Sequence, residues 1–339
     1  MATVTGAEAQ TACVTGANGY MASILVKQLL DRGYTVHATV RDAENQAKVA
    51  HLVGIQGAKE RLKLFSADIT VEGSLDLPVS GCDYVFHTAT PVHFESTNPE
   101  KDMIEPAVQG TLNVLKACLK AKSVKRVVLT SSAAAVTLNK RDDANMVMDE
   151  TCWTDTDFLY SEKPPTWGYP ASKTLAEQAA WKFAEENNLN LVSVIPVLMT
   201  GPSITTAVPS SVMMATALVT GNDFLINNLK GMQMVSGSIS IAHVEDVCRA
   251  HIFVAEEESV SGRYICCAHN TSVVELAHFL SNRYPEYKIP TDFGDFPAKA
   301  KLSISTKKLV GAGFNFKHGI ESIFDESVEY LKSAGVLPK

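Results

Sequence analysis

Residues 11–22 read TACVTGANGYMA, and the strand, turn and helix that they predict set the architecture of the chain. The run before the turn is short and apolar, which is typical of a buried strand, and residues 21–32 have the hydrophobic spacing of a helix. Two glycines in the turn let backbone N–H groups approach a pyrophosphate at the helix N-terminus, and a small residue at position 22 allows close packing of helix on strand. The predicted dinucleotide-binding residues of this turn are Gly16, Asn18, Gly19, Tyr20, Met21 and Ala22.

Apolar runs and helical spacing continue to alternate up to about residue 200. Strands alternating with helices indicate a parallel sheet, and strands that are apolar throughout suit a sheet covered on both faces. We therefore predict an α/β fold with a Rossmann-type doubly wound parallel sheet. The later predicted strands are residues 34–40, 62–66, 84–89, 126–130 and 191–195, and the longest predicted helices are residues 103–121 and 167–187.

Beyond Pro196 the pattern changes to loops rich in Ser, Thr, Gly and Pro between isolated helices, up to a terminal helix at about residues 323–334. We predict a dinucleotide-binding Rossmann domain at residues 1–200 and a smaller C-terminal substrate-binding lobe at residues 201–339. A strand pattern followed by a helix pattern indicates that about residues 237–262 return to the first domain.

Composition and charge exclude several classes of protein. The chain has 339 residues and a formal net charge of −7 without a run rich in Lys and Arg, so binding to nucleic acid is not expected. No stretch reaches the roughly 18 consecutive apolar residues of a membrane span, so membrane insertion is not expected. The first residues, MATVTGAEAQT, lack the basic and apolar regions of a secretory signal, which makes the cytoplasm the expected compartment. The sequence predicts no obligate protein partner.

Seven cysteines are spread irregularly along the chain, without a C-x-x-C pair. Several lie inside apolar runs, where a free cysteine behaves as a small hydrophobic residue. We expect buried free thiols rather than disulfides, and no metal site is predicted. The cysteines are Cys13, Cys82, Cys118, Cys152, Cys248, Cys266 and Cys267.

The cofactor is predicted from the end of the second strand. An acidic residue at this strand tip binds the ribose 2′-hydroxyl of NAD, whereas an arginine there can hold the 2′-phosphate of NADP. Arg41 follows the strand directly, and Asp42 comes one residue later. Arg41 can bind a phosphate through two parallel N–H groups, and Lys48 could add a second positive charge. The pattern favours NADP(H) over NAD(H).

Three further strand ends are expected to line the same crevice, because ligands bind outside the carboxyl ends of parallel strands. The end of the third strand would bracket the adenine, the end of the fourth would place small residues beside the pyrophosphate and ribose, and the end of the sixth would face the nicotinamide. In that order the predicted residues are Asp68 and Ile69; His87, Thr88, Ala89 and Thr90; and Pro196, Leu198 and Met199.

Tyr169 and Lys173 are predicted to be a proton-transfer pair. They are four residues apart near the start of a helix, so both side chains emerge on one face. Lowering the phenol pKa from about 10 towards neutrality requires about 4 kcal/mol of phenolate stabilisation, which the ammonium and a cationic nicotinamide could supply. The fifth strand supplies Ser132 rather than Ser131, because neighbouring strand residues point in opposite directions.

Each of these features also has a purely structural interpretation when taken alone. A tyrosine four residues before a lysine is common on helix surfaces, a Ser-Ser pair is common at turns, and Arg or Lys is most often a solvated surface charge. Their order along the chain, after a dinucleotide-binding turn, favours a redox acid–base site over chance.

The chain resembles the extended short-chain dehydrogenases, and within them the plant dihydroflavonol-reductase-like group, over essentially its whole length. The stretches that carry the resemblance include VTGANGY, VFHTATPVHFES, VKRVVLTSSAAAV and YPASKTLAEQAAWKFAEENN. The resemblance implies a catalytic triad of Ser132, Tyr169 and Lys173. It also implies that both members of the Tyr–Lys pair contact NADP(H), and it adds Ser211 to the predicted cofactor contacts.

The resemblance also bears on the substrate. Members that reduce dihydroflavonols typically read TSSAGTVN after the fifth strand, whereas this chain has Ala134 and Ala135 in place of Gly-Thr and Thr137 in place of the Asn. Because that Asn belongs to the substrate-recognising stretch, the difference argues against a dihydroflavonol. The resemblance implies NADPH-dependent reduction of an anthocyanidin, such as cyanidin, to a 2,3-cis-flavan-3-ol, such as epicatechin, within flavonoid and proanthocyanidin biosynthesis. Two NADPH would be consumed, and the expected substrate contacts are Ser132, Thr137 and Tyr169.

Three alternatives remain open. The same scaffold and triad could reduce a dihydroflavonol or a cinnamoyl-CoA. A non-enzymatic NADP(H) sensor would need the glycine turn but not the Tyr–Lys pair. A sugar-nucleotide epimerase would favour tightly held NAD and an acidic residue where Arg41 stands.

Overall fold

The computed structural model describes residues 10–94, 96–139 and 146–339, so residues 1–9, which carry most of the stretch judged to lack a secretory signal, lie outside it. The strands are β1 (Thr11–Val14), β2 (Thr35–Val40), β3 (Leu62–Ser66), β4 (Tyr84–His87), β5 (Arg126–Thr130), β6 (Met146–Met148), β7 (Leu191–Pro196), β8 (Leu198–Thr200), β9 (Ile239–His243), β10 (Gly262–Cys266), β11 (His269–Thr271) and β12 (Leu302–Ile304). The helices are α1 (Tyr20–Asp31), α2 (Gln46–Val53), α3 (Ala58–Arg61), α4 (Asp76–Val79), α5 (Glu105–Ala121), α6 (Thr156–Glu162), α7 (Gly168–Glu186), α8 (Ser210–Ala215), α9 (Ala217–Thr220), α10 (Asp223–Ser236), α11 (Val244–Glu256), α12 (Val273–Arg283), α13 (Lys307–Gly311) and α14 (Ile320–Ser333).

The main sheet has seven strands in the order β3-β2-β1-β4-β5-β7-β10, and every neighbouring pair is parallel. The strand order reverses between β1 and β4, so the connections that leave these two strands diverge there. Ligands of open α/β sheets bind at this point, outside the carboxyl ends of the strands. The predicted Rossmann-type doubly wound fold is therefore confirmed.

Helices cover both faces of the main sheet. Along β1, Ala12 and Val14 pack with α1 and α11 on one face, whereas Cys13 packs with α5 and α7 on the other. Successive residues of a strand point to opposite faces, and here each face meets a hydrophobic layer. This explains why the strands are apolar throughout rather than alternating, as the sequence indicated.

The segment predicted to return to the first domain is divided between two sheets. The strand expected to return to the first domain, β9, pairs with β8 and β11 in a separate three-stranded sheet. Its Ile239 and Ile241 pack with the C-terminal helices, which the sequence pattern of one strand cannot reveal. The helix α11 does pack on α1, and β10 joins the main sheet beside β7, so the return extends to Cys266. The boundary between the two domains stays a prediction.

Two further sequence predictions can be compared with the structure. All seven cysteines are free, and six of them are buried, which confirms the expected free thiols. Within the described residues, no helix is long and apolar enough to cross a membrane.

Candidate active site

The glycine turn between β1 and α1 has the geometry of a dinucleotide-binding turn. Gly16 has a φ of +65°, and a Cβ at this position would lie 3.0 Å from the Cβ of Ala89. The Gly19 N–H donates to the Gly16 carbonyl at 3.0 Å, and no side chain caps the start of α1. The first amides of this twelve-residue helix are therefore available to an anion, and no acidic side chain lies in its first turn. These features fit the pyrophosphate of a dinucleotide.

The turn after β4 is attached to β1 by hydrogen bonds. The Thr15 hydroxyl oxygen accepts from the backbone N–H groups of Thr88 and Ala89 at 3.1 and 3.0 Å. The ring nitrogens of His87 lie 3.0 Å from the Thr15 hydroxyl and 3.1 Å from the Thr111 hydroxyl. Burial, with a smaller contribution from the Lys173 charge, lowers the pKa of His87 to about 3. His87 is thus a neutral residue that links β4 to the turn after β1 and to α5, and only its backbone remains for a ligand.

Four of the predicted cofactor residues line one cleft of about 400 Å³, whose other wall is formed by residues 205–210. The four residues are Asn18, Tyr20, Lys48 and Ser211. The Tyr20 hydroxyl donates to the Gly201 carbonyl at 2.8 Å, which fixes the ring at the base of the turn. The structure therefore brings together residues from three separate parts of the sequence.

His51 also lines this cleft and was missed by the sequence analysis. Both of its ring nitrogens are buried, and no hydrogen bond among the described residues reaches either one. His51 lies three residues after Lys48 on α2, so the two side chains share one helix face. That spacing could have predicted His51 as a further residue of the cleft.

The tip of β2 presents Arg41 to solvent. The neighbouring Asp42 uses a carboxylate oxygen to accept from the Glu44 N–H at 3.1 Å, so this acid is engaged within its own loop. Bonds from the Thr70 amide and hydroxyl lower the pKa of Asp68, and the Arg41 charge adds to this effect. The cation at the strand tip is therefore the group left free to bind a phosphate.

The remaining predicted cofactor residues are less exposed. Met21 and Ala22 are buried within α1, and the Ile69 side chain packs against α5 at Gly110. Thr90 lies with Lys173 in a small interior space. Pro196 ends β7, and the chain then passes into β8, where Leu198 and Met199 are half-buried.

Tyr169 lies in the first turn of α7, and its phenol is hydrogen-bonded to Ser132. One turn later, the Lys173 ammonium donates to the carbonyl of Thr130, the last residue of β5, at 3.1 Å. The ring of Phe94 lies 5.5 Å from the Tyr169 ring. The structure therefore brings the three predicted catalytic side chains together at the carboxyl end of a central strand.

Ser131 and Ser132 point in opposite directions, as strand alternation predicts. The Ser131 hydroxyl donates to the Glu177 carboxylate at 2.5 Å, whereas the Ser132 hydroxyl bonds with Tyr169 and accepts from the Ala134 N–H at 3.2 Å. Of the two, Ser132 is the one that reaches the tyrosine.

The predicted lowering of the Tyr169 pKa requires the cationic nicotinamide beside Lys173, and for that complex it stays a prediction. Burial raises the pKa of the phenol, and the hydrogen bond from Ser132 only partly opposes that effect. Burial also lowers the pKa of Lys173 to about 8, while the charge of Glu177 acts in the opposite direction. A phenol with a raised pKa stays protonated at neutral pH, which is the state that a proton donor requires.

Thr137, a predicted substrate contact, is buried, and its hydroxyl donates to the Ala133 carbonyl at 3.1 Å. That hydroxyl is therefore used within the turn that follows β5. Its predicted role in recognition stays a prediction.

A second cluster of titratable side chains joins α14 to the three-stranded sheet. The rings of His243 and His318 stack with centroids 3.8 Å apart, and oxygens of Glu326 lie 3.3 Å from a nitrogen of each ring. The His243 Nδ1 accepts from the Glu245 N–H at 3.2 Å, so the proton of the neutral ring is on Nε2. His243 thus has no free lone pair for a cation in this arrangement, and the predicted absence of a metal stays a prediction.

The family of the chain follows from sequence comparison. The model of the NAD dependent epimerase/dehydratase family matches residues 12–267. The chain is 67% identical over 328 residues to an anthocyanidin reductase ((2S)-flavan-3-ol-forming) of Vitis vinifera, with 97% of each chain covered. It is 46% identical over 330 residues to a dihydroflavonol 4-reductase of Arabidopsis thaliana, covering 97% of this chain and 84% of the relative.

The chain is also similar in structure to solved reductases. Vestitone reductase from alfalfa (Medicago sativa L.) matches with a TM-score of 0.83 and 36% identity, covering 96% of this chain and 99% of the alfalfa chain. The yeast methylglyoxal/isovaleraldehyde reductase complexed with NADPH matches with a TM-score of 0.77 and 27% identity, covering 97% and 100%. Both are reductases with this fold.

Proposed function

The chain belongs to the NAD dependent epimerase/dehydratase family, and on that premise we propose that it uses NADPH to reduce anthocyanidins, such as cyanidin, to 2,3-cis-flavan-3-ols, such as epicatechin. The observation that carries the proposal is the half-buried Tyr169, with the Ser132 hydroxyl beside its phenol and Lys173 one turn later, at the carboxyl end of β5. The choice of substrate is supported by 67% identity to an anthocyanidin reductase, against 46% to a dihydroflavonol reductase.

The residues around the glycine turn would hold the cofactor. The open amides at the start of α1 would bind the pyrophosphate, and Arg41 with Lys48 would bind the 2′-phosphate. NADPH, when bound, supplies the hydride. The Lys173 side chain lies beside Tyr169 on α7 and supplies a positive charge within the buried site.

Tyr169 is the proposed proton donor. An anthocyanidin is a cation, and its conversion to a neutral flavan-3-ol takes up two hydrides and one proton, so charge and atoms balance with two NADPH and one acid. Burial keeps the phenol protonated until it gives up that proton, and the Ser132 hydroxyl holds the phenol oxygen in place. The positive charge of Lys173 would stabilise the phenolate that remains.

The mouth of the site suits a flat aromatic substrate. Phe94 is 55% exposed although its ring lies only 5.5 Å from Tyr169, and the nearby Val92 is 49% exposed. Large apolar side chains exposed beside a catalytic group offer a surface on which aromatic rings can stack. We propose that this surface receives the flavonoid, in the cytosol.

The experiment that tests this function follows NADPH consumption with cyanidin, dihydroquercetin and feruloyl-CoA in parallel. We expect turnover with cyanidin and little with the other two. Turnover of dihydroquercetin or feruloyl-CoA without turnover of cyanidin would show that the chain is a different reductase. Binding of NADPH without turnover of any of them would support the sensor alternative.

A further inference from the structure

A buried charge pair lies directly behind the proposed active site. The Glu177 carboxylate, only 1% exposed, accepts from Arg263 Nε at 2.9 Å and from Nη2 at 3.1 Å. The Arg263 guanidinium lies 3.6 Å from the centre of the Trp153 ring and donates to the carbonyls of Glu150 and Cys152 at 2.8 and 2.7 Å. The pair therefore connects α7, β10 and the segment after β6 at a fixed geometry.

Glu177 is connected to the active site in two ways. It lies four residues after Lys173 on α7, and both residues border the same interior space. Its carboxylate also accepts the hydrogen bond from Ser131, the residue immediately before Ser132. One side chain thus contacts the strand that carries the serine and lies on the helix that carries the lysine.

The other charged and titratable groups near Lys173 do not replace Glu177. Tyr169 is a protonated phenol, and His87 is neutral because burial lowers its pKa to about 3. His251 lies behind Thr130, 2.8 Å from its hydroxyl, and is also neutral with a pKa of about 4. Among the described residues, the negative charge that acts on the Lys173 ammonium is therefore that of Glu177, which Arg263 partly balances.

We propose that Glu177 and Arg263 form a positioning pair that orients Ser132 through Ser131 and sets the charge environment of Lys173. This inference rests on the proposed function and adds two residues that do not touch the substrate. It explains why α7 carries a buried carboxylate where an apolar residue would pack at lower cost in desolvation.

The test is the pH dependence of kcat for cyanidin reduction, by stopped-flow initial rates corrected for loss of cyanidin without enzyme. Activity is expected to fall at alkaline pH as Lys173 loses its proton. Glu177→Gln should move this alkaline limb to lower pH by about one unit, because the Arg263 charge, no longer balanced, disfavours the protonated form of Lys173. Arg263→Met should move it up, because the Glu177 charge is left unbalanced. A purely structural pair would lower kcat in both variants without moving the limb in opposite directions.

Either single variant leaves a buried charge without its partner and could fail to fold. The double variant Glu177→Gln/Arg263→Met leaves no such charge. Glu177 acts directly on the Lys173 charge, whereas Arg263 is bonded to Glu177. The alkaline limb of the double variant should therefore still lie at a lower pH than that of the wild type. An unchanged limb in a folded double variant would overturn the proposal.

Ser131→Ala tests the orienting role separately. It removes the hydrogen bond to Glu177 without changing any charge, so kcat should fall about tenfold while the alkaline limb stays in place. The matched control is Ser193→Ala on β7, where a buried serine hydroxyl has no hydrogen-bond partner among the described residues, and kcat should stay at the wild-type value. Equal kcat in both variants would contradict the orienting role.

The proposed function and the positioning pair are contradicted by different results. A wild-type protein that reduces dihydroquercetin or feruloyl-CoA but not cyanidin contradicts the proposed function alone, because the same pH series with that substrate still tests the pair. A wild-type protein that reduces cyanidin, with variants whose limbs do not shift, contradicts the positioning pair alone.

Discussion

At the residue scale, turnover depends on the Tyr169 phenol, which is half-buried beside the Ser132 hydroxyl. Tyr169→Phe keeps the ring against Phe94 and removes only the hydroxyl that bonds to Ser132. We expect NADPH binding to stay within about twofold of wild type and turnover of cyanidin to fall by about 10²–10⁴-fold, the range of general acid catalysis. Fluorescence titration and initial rates measure the two quantities, and unchanged turnover would show that the tyrosine is structural.

A second residue-scale prediction concerns the cofactor. Arg41 is exposed at the tip of β2, and the neighbouring Asp42 is engaged with the Glu44 amide. Arg41→Asp should weaken NADPH binding by about 10–100-fold, because a bidentate phosphate partner becomes a repelling charge. The binding of NADH, which lacks the 2′-phosphate, serves as the control in the same protein. Equal weakening of both cofactors would contradict the 2′-phosphate role.

A site residue could be predicted from the sequence only where the residues that contact each other are close together in the chain or follow a regular spacing. Tyr169 and Lys173 were predictable because a four-residue spacing on a helix has one geometric outcome, and Ser132 followed from strand alternation. The salt bridge between Glu177 and Arg263 joins residues 86 positions apart, and no local sequence pattern predicts such a contact. The contribution of burial to the Tyr169 pKa was also missed, because burial is a property of the assembled site.

At the element scale, the glycine turn connects β1 to α1 and packs against the turn after β4. Gly16→Ala places a side chain at a φ of +65° and within 3.0 Å of Ala89. We expect a loss of about 1–2 kcal/mol in the free energy of unfolding and a fall of about tenfold in NADPH affinity. Urea denaturation and fluorescence titration measure the two effects.

Gly33→Ala is the matched control for this turn. Gly33 also has a positive φ, +87°, but a Cβ there would meet nothing within 4 Å, and the residue follows the far end of α1. This variant should lose a similar amount of stability and keep the wild-type affinity for NADPH. Loss of affinity in both variants would indicate that stability, and not the turn, governs binding.

The elements themselves were predicted unevenly. The bounds of β3 and β5 coincide with the predicted strands, although β3, LKLFS, includes a lysine and a serine. The short strands β6 and β12 were not predicted, since within the described part of the chain they pair only with each other, across more than 150 residues. The sheet to which β9 belongs was not predicted, because the pattern of one strand does not show which strands pair with it.

At the scale of the whole molecule, three buried histidines make stability depend on pH. Burial, as the largest cause, lowers the pKa of His87 to about 3 and of His243 and His251 to about 4, against 6.5 in an unfolded chain. Below pH 6.5 the unfolded chain therefore binds protons that the folded chain does not, and stability falls as pH decreases.

The free energy of unfolding should be at its full value above about pH 6.5 and decrease down to about pH 3, the pKa of His87. At pH 5 the loss would be up to about 2 kcal/mol for each histidine. Carboxylates with lowered pKa values, such as Asp68 and Asp83, act below their ordinary pKa of 3.8, so they do not obscure the change between pH 7 and pH 5. Urea denaturation at pH 7 and pH 5 measures it, and equal stability at the two values would contradict the neutral histidines.

The most direct test of the central claim is transfer of label from NADPH to the product. Cyanidin is incubated with NADPH that carries deuterium at the transferable C4 position, and the product is analysed by chiral chromatography and mass spectrometry. We predict a flavan-3-ol that contains two deuterium atoms, formed by the wild type and nearly absent with Tyr169→Phe. A flavan-3-ol without deuterium, or no flavan-3-ol at all, would contradict the assignment of this chain as an NADPH-dependent reductase of anthocyanidins.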